Sequence, residues 1–484
     1  MLYDIEQNQF APNLDTYDFA IAGAGPAGIT LARKLARKGK RVALFEAGGM
    51  EYSQRSQDIY APSSDSTSYP AATTRLRYFG GTSNHWAGRC RPFDPFDFNN
   101  DHNDYVLPGW PIEFDDINPY LGEAKDILDL GRDTEFKPLE GTDVIEQSFE
   151  KDRSLVSSPT RFNSKYKEEL TRSDSIDLYI NANVTNIVLD DKTKQIIEAF
   201  EVSDYTGNRH HFNAGTFVLA LGGIENPRLL LNADSQLQHG VGNQHDMVGR
   251  CFMDHFNVRL CTFMPNSTRW QDVGRMEFYT KPSWSHENAV GTSNVTLSIF
   301  QATRVDGRFK PLKLRLADFA CRYGYEDQLG KLFRVACAGE GLVTTLMEQE
   351  PHPDCRLMLS DETDSLGLRR LKTQWKMSEL DKKTIRTIAK EISIQATESG
   401  LGRFQLPEYI LDESLEIPNI YHCHHMGSTR MAALPEHGVV DKNCKVFGTN
   451  NLYVAGSSVF SRGGGNNPTM PLLQLALRLG DHLT

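Results

Sequence analysis

Two groups of residues stand out for the chemistry their types and spacing allow. The first is the run Gly23-Ala-Gly25-Pro-Ala27-Gly28, which closes an apolar stretch and opens an amphipathic one. Gly23 permits a tight turn, Gly25 lets backbone N–H groups approach a pyrophosphate, and Gly28 lets a helix pack closely on a strand. Glu46 follows Gly28 by 18 residues, close to the roughly twenty expected of an acid that accepts hydrogen bonds from a ribose diol. An acid there favours an unphosphorylated ribose, so NAD and FAD suit the site and NADP does not. The second group is His422, His424 and His425, imidazoles that titrate near neutrality and can move protons. Crowded histidines also occur at metal sites, but no carboxylate or cysteine set with ligand spacing flanks these, and no metal is expected.

The elements that must position these groups follow from the pattern around them. Asp18-Phe-Ala-Ile-Ala-Gly is a short apolar strand, the stretch to about Lys38 a helix, and Arg41-Val-Ala-Leu-Phe-Glu46 a second strand ending in the acid. That order is the βαβ unit a dinucleotide requires. No second fingerprint exists: Gly240-Val-Gly242, Gly339-Glu-Gly341 and Gly400-Leu-Gly402 each lack a third glycine, so one nucleotide cofactor is expected and no NAD(P)H site beside it. Short strands across Asp177–Val202 and the apolar Thr216–Gly223 stretch belong with this unit. From about Cys261 to Ile420 longer, more polar, alternating segments and a helix over Leu380–Ser399 describe a second lobe with an antiparallel sheet. The strand Asn451–Gly456 and the helix Thr469–Leu483 then return to the first unit. Asn467 before Pro468 is a good helix-capping arrangement. The expected fold class is α/β: a doubly wound, Rossmann-type dinucleotide domain (1–260 and 421–484) with an inserted α+β substrate domain (261–420).

Composition narrows the partners. The 484 residues carry 52 Lys plus Arg against 63 Asp plus Glu, a net charge of −11 with no long basic run. This disfavours nucleic acid and anionic membrane surfaces and favours neutral or polar small molecules. No stretch is long and apolar enough for a membrane span, the acidic start does not resemble a secretory signal, and a cytoplasmic protein is expected. Cys90, Cys251, Cys261, Cys321, Cys337, Cys355, Cys423 and Cys444 are scattered without a C-x-x-C pair, as separate reduced thiols would be. Asp254 and His255 are adjacent, and neighbours on a strand point to opposite faces, so a structural role near the lobe junction is expected rather than a dyad.

Several segments taken together resemble the glucose-methanol-choline (GMC) family of FAD oxidoreductases: the glycine turn at 23–28, Gly80-Gly81-Thr-Ser83-Asn84-His85-Trp86, Gly222-Gly-Ile-Glu-Asn-Pro227, Val248-Gly-Arg-Cys-Phe-Met-Asp-His255, His424-His-Met-Gly427 and Asn466-Asn467-Pro468-Thr469. The resemblance runs end to end and is weak only in the second lobe, which sets substrate choice. It implies FAD oxidising a CH–OH group, with hydride passing to flavin N5. His424 falls in the slot of the family's base, with His425 as the alternative, and Asn467 in the slot that hydrogen-bonds the substrate oxygen. It places Gly80, Gly81, Ser83, Asn84 and His85 against the isoalloxazine, where His85 either bonds covalently to the flavin or packs beside it, and where Tyr78, Phe79 and Trp86 pack. Val184, Gly456, Ser457, Asn467, Pro468 and Thr469 complete the cofactor set, the helix from Thr469 presenting its positive end to the flavin. The Ser-Asn-His-Trp segment and Gly427-Ser-Thr-Arg-Met431 resemble pyranose-oxidase-like members, so a sugar, glycoside or polyol is the expected substrate and O2 or a carrier the acceptor. The alternatives are an apolar natural-product alcohol, or a redox-neutral lyase on the same fold.

Overall fold

The computed structural model describes residues 1–12, 17–66, 69–99, 105–132, 134, 145–152, 154–265, 275–300, 340–418 and 420–484, with isolated positions between 312 and 325. Cys321, Cys337 and Gly339 lie outside them. The core of the first unit is an eight-stranded sheet. Its order is Leu2–Asp4, Ile176–Ile180, Val42–Phe45, Tyr17–Ala22, Arg209–Leu219, Ile197–Ser203, Asn183–Leu189, with Leu452–Val454 also paired to Arg209–Leu219. One long strand joins two kinds of sheet. Arg209–Asn213 pairs antiparallel with Ala199–Ser203, and Ala214–Leu219 pairs parallel with Tyr17–Ala22. The first half alternates buried and exposed residues, whereas Phe217, Val218 and Leu219 are all buried, as strands covered on both faces require. The strand stops at Leu219 and a helix, Gly222–Asn232, starts where the sequence suggests that the strand continues to Gly223. Gly222 at φ +86° makes that turn.

The helix Pro26–Arg37 follows the Tyr17–Ala22 strand, with proline in its first turn, Lys34 and Arg37 in its last, and no side chain capping its N-terminus. Proline there needs no N–H partner and the basic residues complement the helix dipole. The uncapped N–H groups point to the ends of the central strands.

The second sheet is antiparallel, in the order Gly402–Gln405, Phe256–Pro265, Glu340–Met347, Ser293–Phe300, Arg275–Thr280, Phe149–Lys151. The helix Glu379–Glu398 buries Ile385, Ile388, Ala389, Ile392 and Ala396 in the same core as this sheet, and Ser378 and Asp381 close a capping box at its start. The i, i+3, i+4, i+7 spacing of that stripe is what predicts the helix from sequence. Two features depart from the expected boundary. Phe149–Lys151 joins the second sheet although it lies within 1–260, because its backbone completes the edge of Phe278–Thr280. The Phe256–Pro265 strand likewise begins before residue 261. With those two amendments, we propose a division of the chain into 1–260 with 421–484 and 261–420.

Candidate functional site

A cavity of about 860 Å³ is lined by residues of both sheets and of the loops joining them. At one end stand Gly23, Ala24, Gly25, Pro26, Ala27, Glu46 and Val184. Each glycine of the turn meets a different constraint. Gly23 has φ +105°, and a Cβ on it would lie 2.4 Å from the Ala220 carbonyl oxygen; one on Gly28 would lie 1.9 Å from that of Gly23. A Cβ on Gly25 would meet nothing within 4 Å. Gly25 therefore opens onto empty space at the uncapped helix N-terminus, the shape and polarity that suit a pyrophosphate. Glu46 accepts from the amides of Gly48 (2.8 Å) and Ala24 (3.3 Å). Burial raises its pKa, and the Gly48 amide and the Arg77 guanidinium oppose that shift.

Further along, Gly81, Thr82, Ser83, His85 and Trp86 line the wall. Arg161 holds this turn by donating to the Ser83 and Trp86 carbonyl oxygens at 2.9 and 2.8 Å. His85 is exposed to the cavity. Tyr78 and Phe79 are buried, and the Trp86 indole donates to Thr160 O at 2.9 Å. Gly456, Ser457, Asn467, Pro468 and Thr469 line the opposite side. The helix Thr469–His482 starts there with no side-chain cap, so its positive end faces the cavity.

The histidines meet Asn467 where the two sheets' residues converge. Nδ2 of Asn467 lies 3.3 Å from Nε2 of His424, and Nδ1 of His424 lies 2.8 Å from Nδ1 of His255. His255 is fully buried, and its Nε2 lies 2.6 Å from the Gly464 carbonyl oxygen. Asp254 shapes the loop around them. Its carboxylate accepts from the amides of His422, Cys423 and His424 at 3.0, 3.0 and 2.8 Å and from the Tyr69 hydroxyl at 2.6 Å. Cys423, at φ +62°, is held in the left-handed region by this loop. His425 turns another way: its Nε2 meets Thr74 Oγ1 at 2.9 Å, and its ring packs on Tyr69.

Burial pushes the His424 pKa well below the ordinary imidazole value, with repulsion from His255, His422 and His425 adding to it. His425 is pushed down to about 4, by burial above all, and His422 to about 4 by burial and then by His255. Burial also lowers His255, against the pull of Asp254 and Glu348. Among the described residues, Asp254, His255 and His424 form the one set with metal-type ligand atoms close together. Both imidazole Nδ1 atoms are spent on each other and the carboxylate on four N–H groups and a hydroxyl. The set is a hydrogen-bonded network and does not need an ion.

The sequence-derived set is therefore largely brought together, with three exceptions. Gly28 and Gly80 stand behind the cavity wall as packing glycines, a Cβ on Gly80 lying 2.6 Å from the Asn163 amide nitrogen. Asn84 turns its amide to the Phe79 carbonyl at 2.9 Å and does not line the cavity. One expectation is corrected. Asn467 does not cap the C-terminal helix, because its amide faces His424 instead. The structural role expected of Asp254 and His255 near the lobe junction takes the form of contacts to the His424 loop. They precede the strand that begins at Phe256, so strand alternation does not separate them. The contact of His255 with His424 was missed because nothing in its local sequence shows a partner 169 residues away.

A dinucleotide-binding α/β unit whose cavity continues to an imidazole–amide pair under a second, antiparallel sheet has the parts of a nucleotide-cofactor oxidoreductase. Family comparison agrees: residues 18–250 match the model of FAD dependent oxidoreductases and residues 351–476 that of GMC oxidoreductases. The two matches together span most of the chain, and its relatives are GMC-type dehydrogenases and oxidases. It is 23% identical to the fructose dehydrogenase large subunit of Gluconobacter japonicus, over 96% of this chain and 97% of that one. It is 24% identical to 2-methyl-1,2-propanediol dehydrogenase of Mycolicibacterium austroafricanum, over 97% and 95%. Its fold resembles pyridoxine 4-oxidase from Mesorbium loti (TM-score 0.59, 17% identity, 96% and 99% covered) and Aspergillus oryzae formate oxidase (0.57, 17%, 98% and 99%). No helix among the described residues is long and apolar enough to cross a membrane.

Proposed function

We propose that this enzyme oxidises a secondary alcohol of a neutral sugar, glycoside or polyol, with His424 as the base. The observation that carries the substrate class is the roof of the cavity. Asn257, Asn294, Thr296 and Thr344 line it from three adjacent strands, and the register sets Thr296 opposite Thr344, with Asn294 and Asn257 both opposite Leu346. A face of amides and hydroxyls offers both donors and acceptors to several hydroxyl groups. Two arginines beside the roof are paired with carboxylates. Arg275 and Arg89 each pair with Glu277, Arg89 also with Asp152, which favours an uncharged substrate over an anionic one. Diol and sugar relatives are consistent with this reading.

FAD, when bound, supplies the hydride acceptor. The residues fitted to hold it are Gly23, Gly25, Ala27, Glu46, Gly81, Ser83, His85, Val184, Gly456, Ser457, Pro468 and Thr469, all on the cavity wall. Nε2 of His424 faces Asn467 and takes the hydroxyl proton as the C–H bond gives up hydride and C–O becomes C=O. The Asn467 amide donates to the substrate oxygen, which holds that oxygen near the base. The depressed His424 pKa keeps it an unprotonated base at neutral pH. His425 is the weaker candidate, because its Nε2 is engaged by Thr74.

An anaerobic titration with sugars, glycosides, polyols and apolar alcohols tests the reading. Loss of flavin absorbance with the first three groups and its absence in His424→Ala, with FAD retained, is the expected result. Bleaching by apolar alcohols alone sinks the substrate class, and full-rate bleaching in His424→Ala sinks the base.

A further inference from the structure

We propose that His255 is a positioning residue that fixes His424 in one tautomer, with its proton on Nδ1 and its lone pair on Nε2 toward Asn467 and the cavity. The inference rests on the reading of His424 as base and adds the means by which the base is kept competent. It follows from which atoms can donate. The Gly464 carbonyl oxygen can only accept, and it lies 2.6 Å from Nε2 of His255, so that nitrogen carries a proton. A neutral His255 then has a bare Nδ1, which can only accept. The atom facing it at 2.8 Å is Nδ1 of His424, which must therefore be the protonated nitrogen. The remaining nitrogen, Nε2, is left with its lone pair at the end facing the cavity, where a substrate hydroxyl arrives.

Everything packed around His255 bears on its charge. Two carboxylates, Asp254 and Glu348, favour the cation; burial disfavours it, and a cationic His255 would force the His424 proton onto Nε2, against the Asn467 Nδ2 donor 3.3 Å away. Asp254 is committed to backbone amides, including that of His255 itself at 2.7 Å. Glu348 is bound by both Nε and Nη2 of Arg462 at 3.1 Å. Both ring nitrogens are taken by His424 and Gly464 and neither by a carboxylate, and the ring is fully buried, so the neutral form prevails. A neutral anchor differs from a carboxylate anchor in one respect. It orients the base without adding negative charge that would raise its pKa, so His424 stays unprotonated in a crowd of imidazoles. When His424 takes the substrate proton, its Nδ1–H stays on His255 and the new proton sits on Nε2, so no proton need cross to His255.

The test reads the tautomer directly. Nitrogen-15 NMR of histidine-labelled holoenzyme, assigned by loss of signals in His424→Ala, is expected to show His424 Nδ1 protonated and Nε2 bare at neutral pH. His255→Phe removes the acceptor and moves the proton to Nε2, where it donates to the Asn467 carbonyl oxygen. The anaerobic flavin-reduction rate then falls by about 10²-fold or more, with FAD content and substrate KM unchanged. His255→Asn keeps an acceptor where Nδ1 stood and holds the rate within about tenfold of wild type. A wild-type His424 protonated on Nε2 overturns the proposal, and that measurement stands even where His255→Phe does not fold. So does a His255→Phe enzyme with unchanged tautomer and rate. Failure of the base reading is separate: it shows as full-rate reduction in His424→Ala, whatever the tautomer.

Discussion

Replacing Gly25 and Gly28 by alanine, one at a time, separates the glycine that makes room for a cofactor from the one that makes room for the fold. Both lie in the same turn, and sequence alone assigns them different duties without measuring either. In the structure a Cβ on Gly25 has nothing within 4 Å, and its backbone, φ −88° and ψ −171°, is one alanine adopts. The flavin-free protein loses only the difference between glycine and alanine at a helix N-cap, about 1 kcal/mol at most, a shift of about 2 °C in Tm for a chain of this size. The new methyl stands where N–H groups must approach a charged pyrophosphate. Losing one such hydrogen bond, about 1.5–3 kcal/mol, weakens FAD binding by roughly 10- to 150-fold. Gly28→Ala instead drives a Cβ to 1.9 Å from the Gly23 carbonyl oxygen. Backbone cannot move aside as a side chain can, so the cost sits at the upper end of overpacking, about 3 kcal/mol or more. Thermal melts of flavin-free protein and FAD titration followed by flavin fluorescence measure the two quantities. Equal loss of Tm in the two variants, or undiminished FAD affinity in Gly25→Ala, would refute the assignment.

Other predictions follow from the same geometry. The anaerobic reduction rate holds as pH falls through 6.5 and declines only well below it, because burial keeps His424 neutral there; a profile that halves near 6.5 contradicts the environment described. His422 and His425, both lowered to about 4, contribute stability that is present above pH 6.5 and lost as pH falls toward 4, which melts across that range will show. Asn294→Leu and Thr296→Val raise KM for sugars and polyols by about tenfold each while sparing small monohydric alcohols, since each removes a hydrogen bond to a hydroxyl; equal effects on both classes would move substrate contacts elsewhere. Arg462→Met leaves the buried Glu348 without its guanidinium and costs about 3–5 kcal/mol in unfolding free energy, and a loss below about 1 kcal/mol would show that the pair is not coupled to folding.

What was legible in the sequence was local. The strand–turn–helix–strand grammar and its terminal acid occupy residues 18–46, and each element forms within one residue or two of where the pattern places it. The stripe of apolar residues over 380–399 and the strand at 452–454 were legible for the same reason. His424 and Asn467 could be paired only through the resemblance, because 43 residues and no periodicity connect them. Beyond that, sequence reasoning failed where a contact is made by packing of distant loops. Phe149–Lys151 has no mark of the sheet it joins, since three residues at an edge are recruited by their partner's free backbone. Asn467 before Pro468 has the composition of a cap, and the competing partner across the cavity wins its amide. The motif ending in Met-Asp-His255 was seen, but its meaning depends on where the 422–424 loop folds back.

The histidine chain ends on a main-chain oxygen, that of Gly464, whose own amide donates to Glu348 at 3.1 Å. No exchange of side chain at position 464 deletes that carbonyl, so on this side the link is broken by moving the backbone, as a side chain at φ +56° with Asp97 and Phe93 close by would do. Gly464 also lies three residues before Asn467 on one loop. A displacement of that loop would release the imidazole pair and withdraw the amide facing the substrate in one stroke. The segment from 462 to 467 thus sets both neighbours of His424 at once, His255 through the Gly464 carbonyl and Asn467 directly.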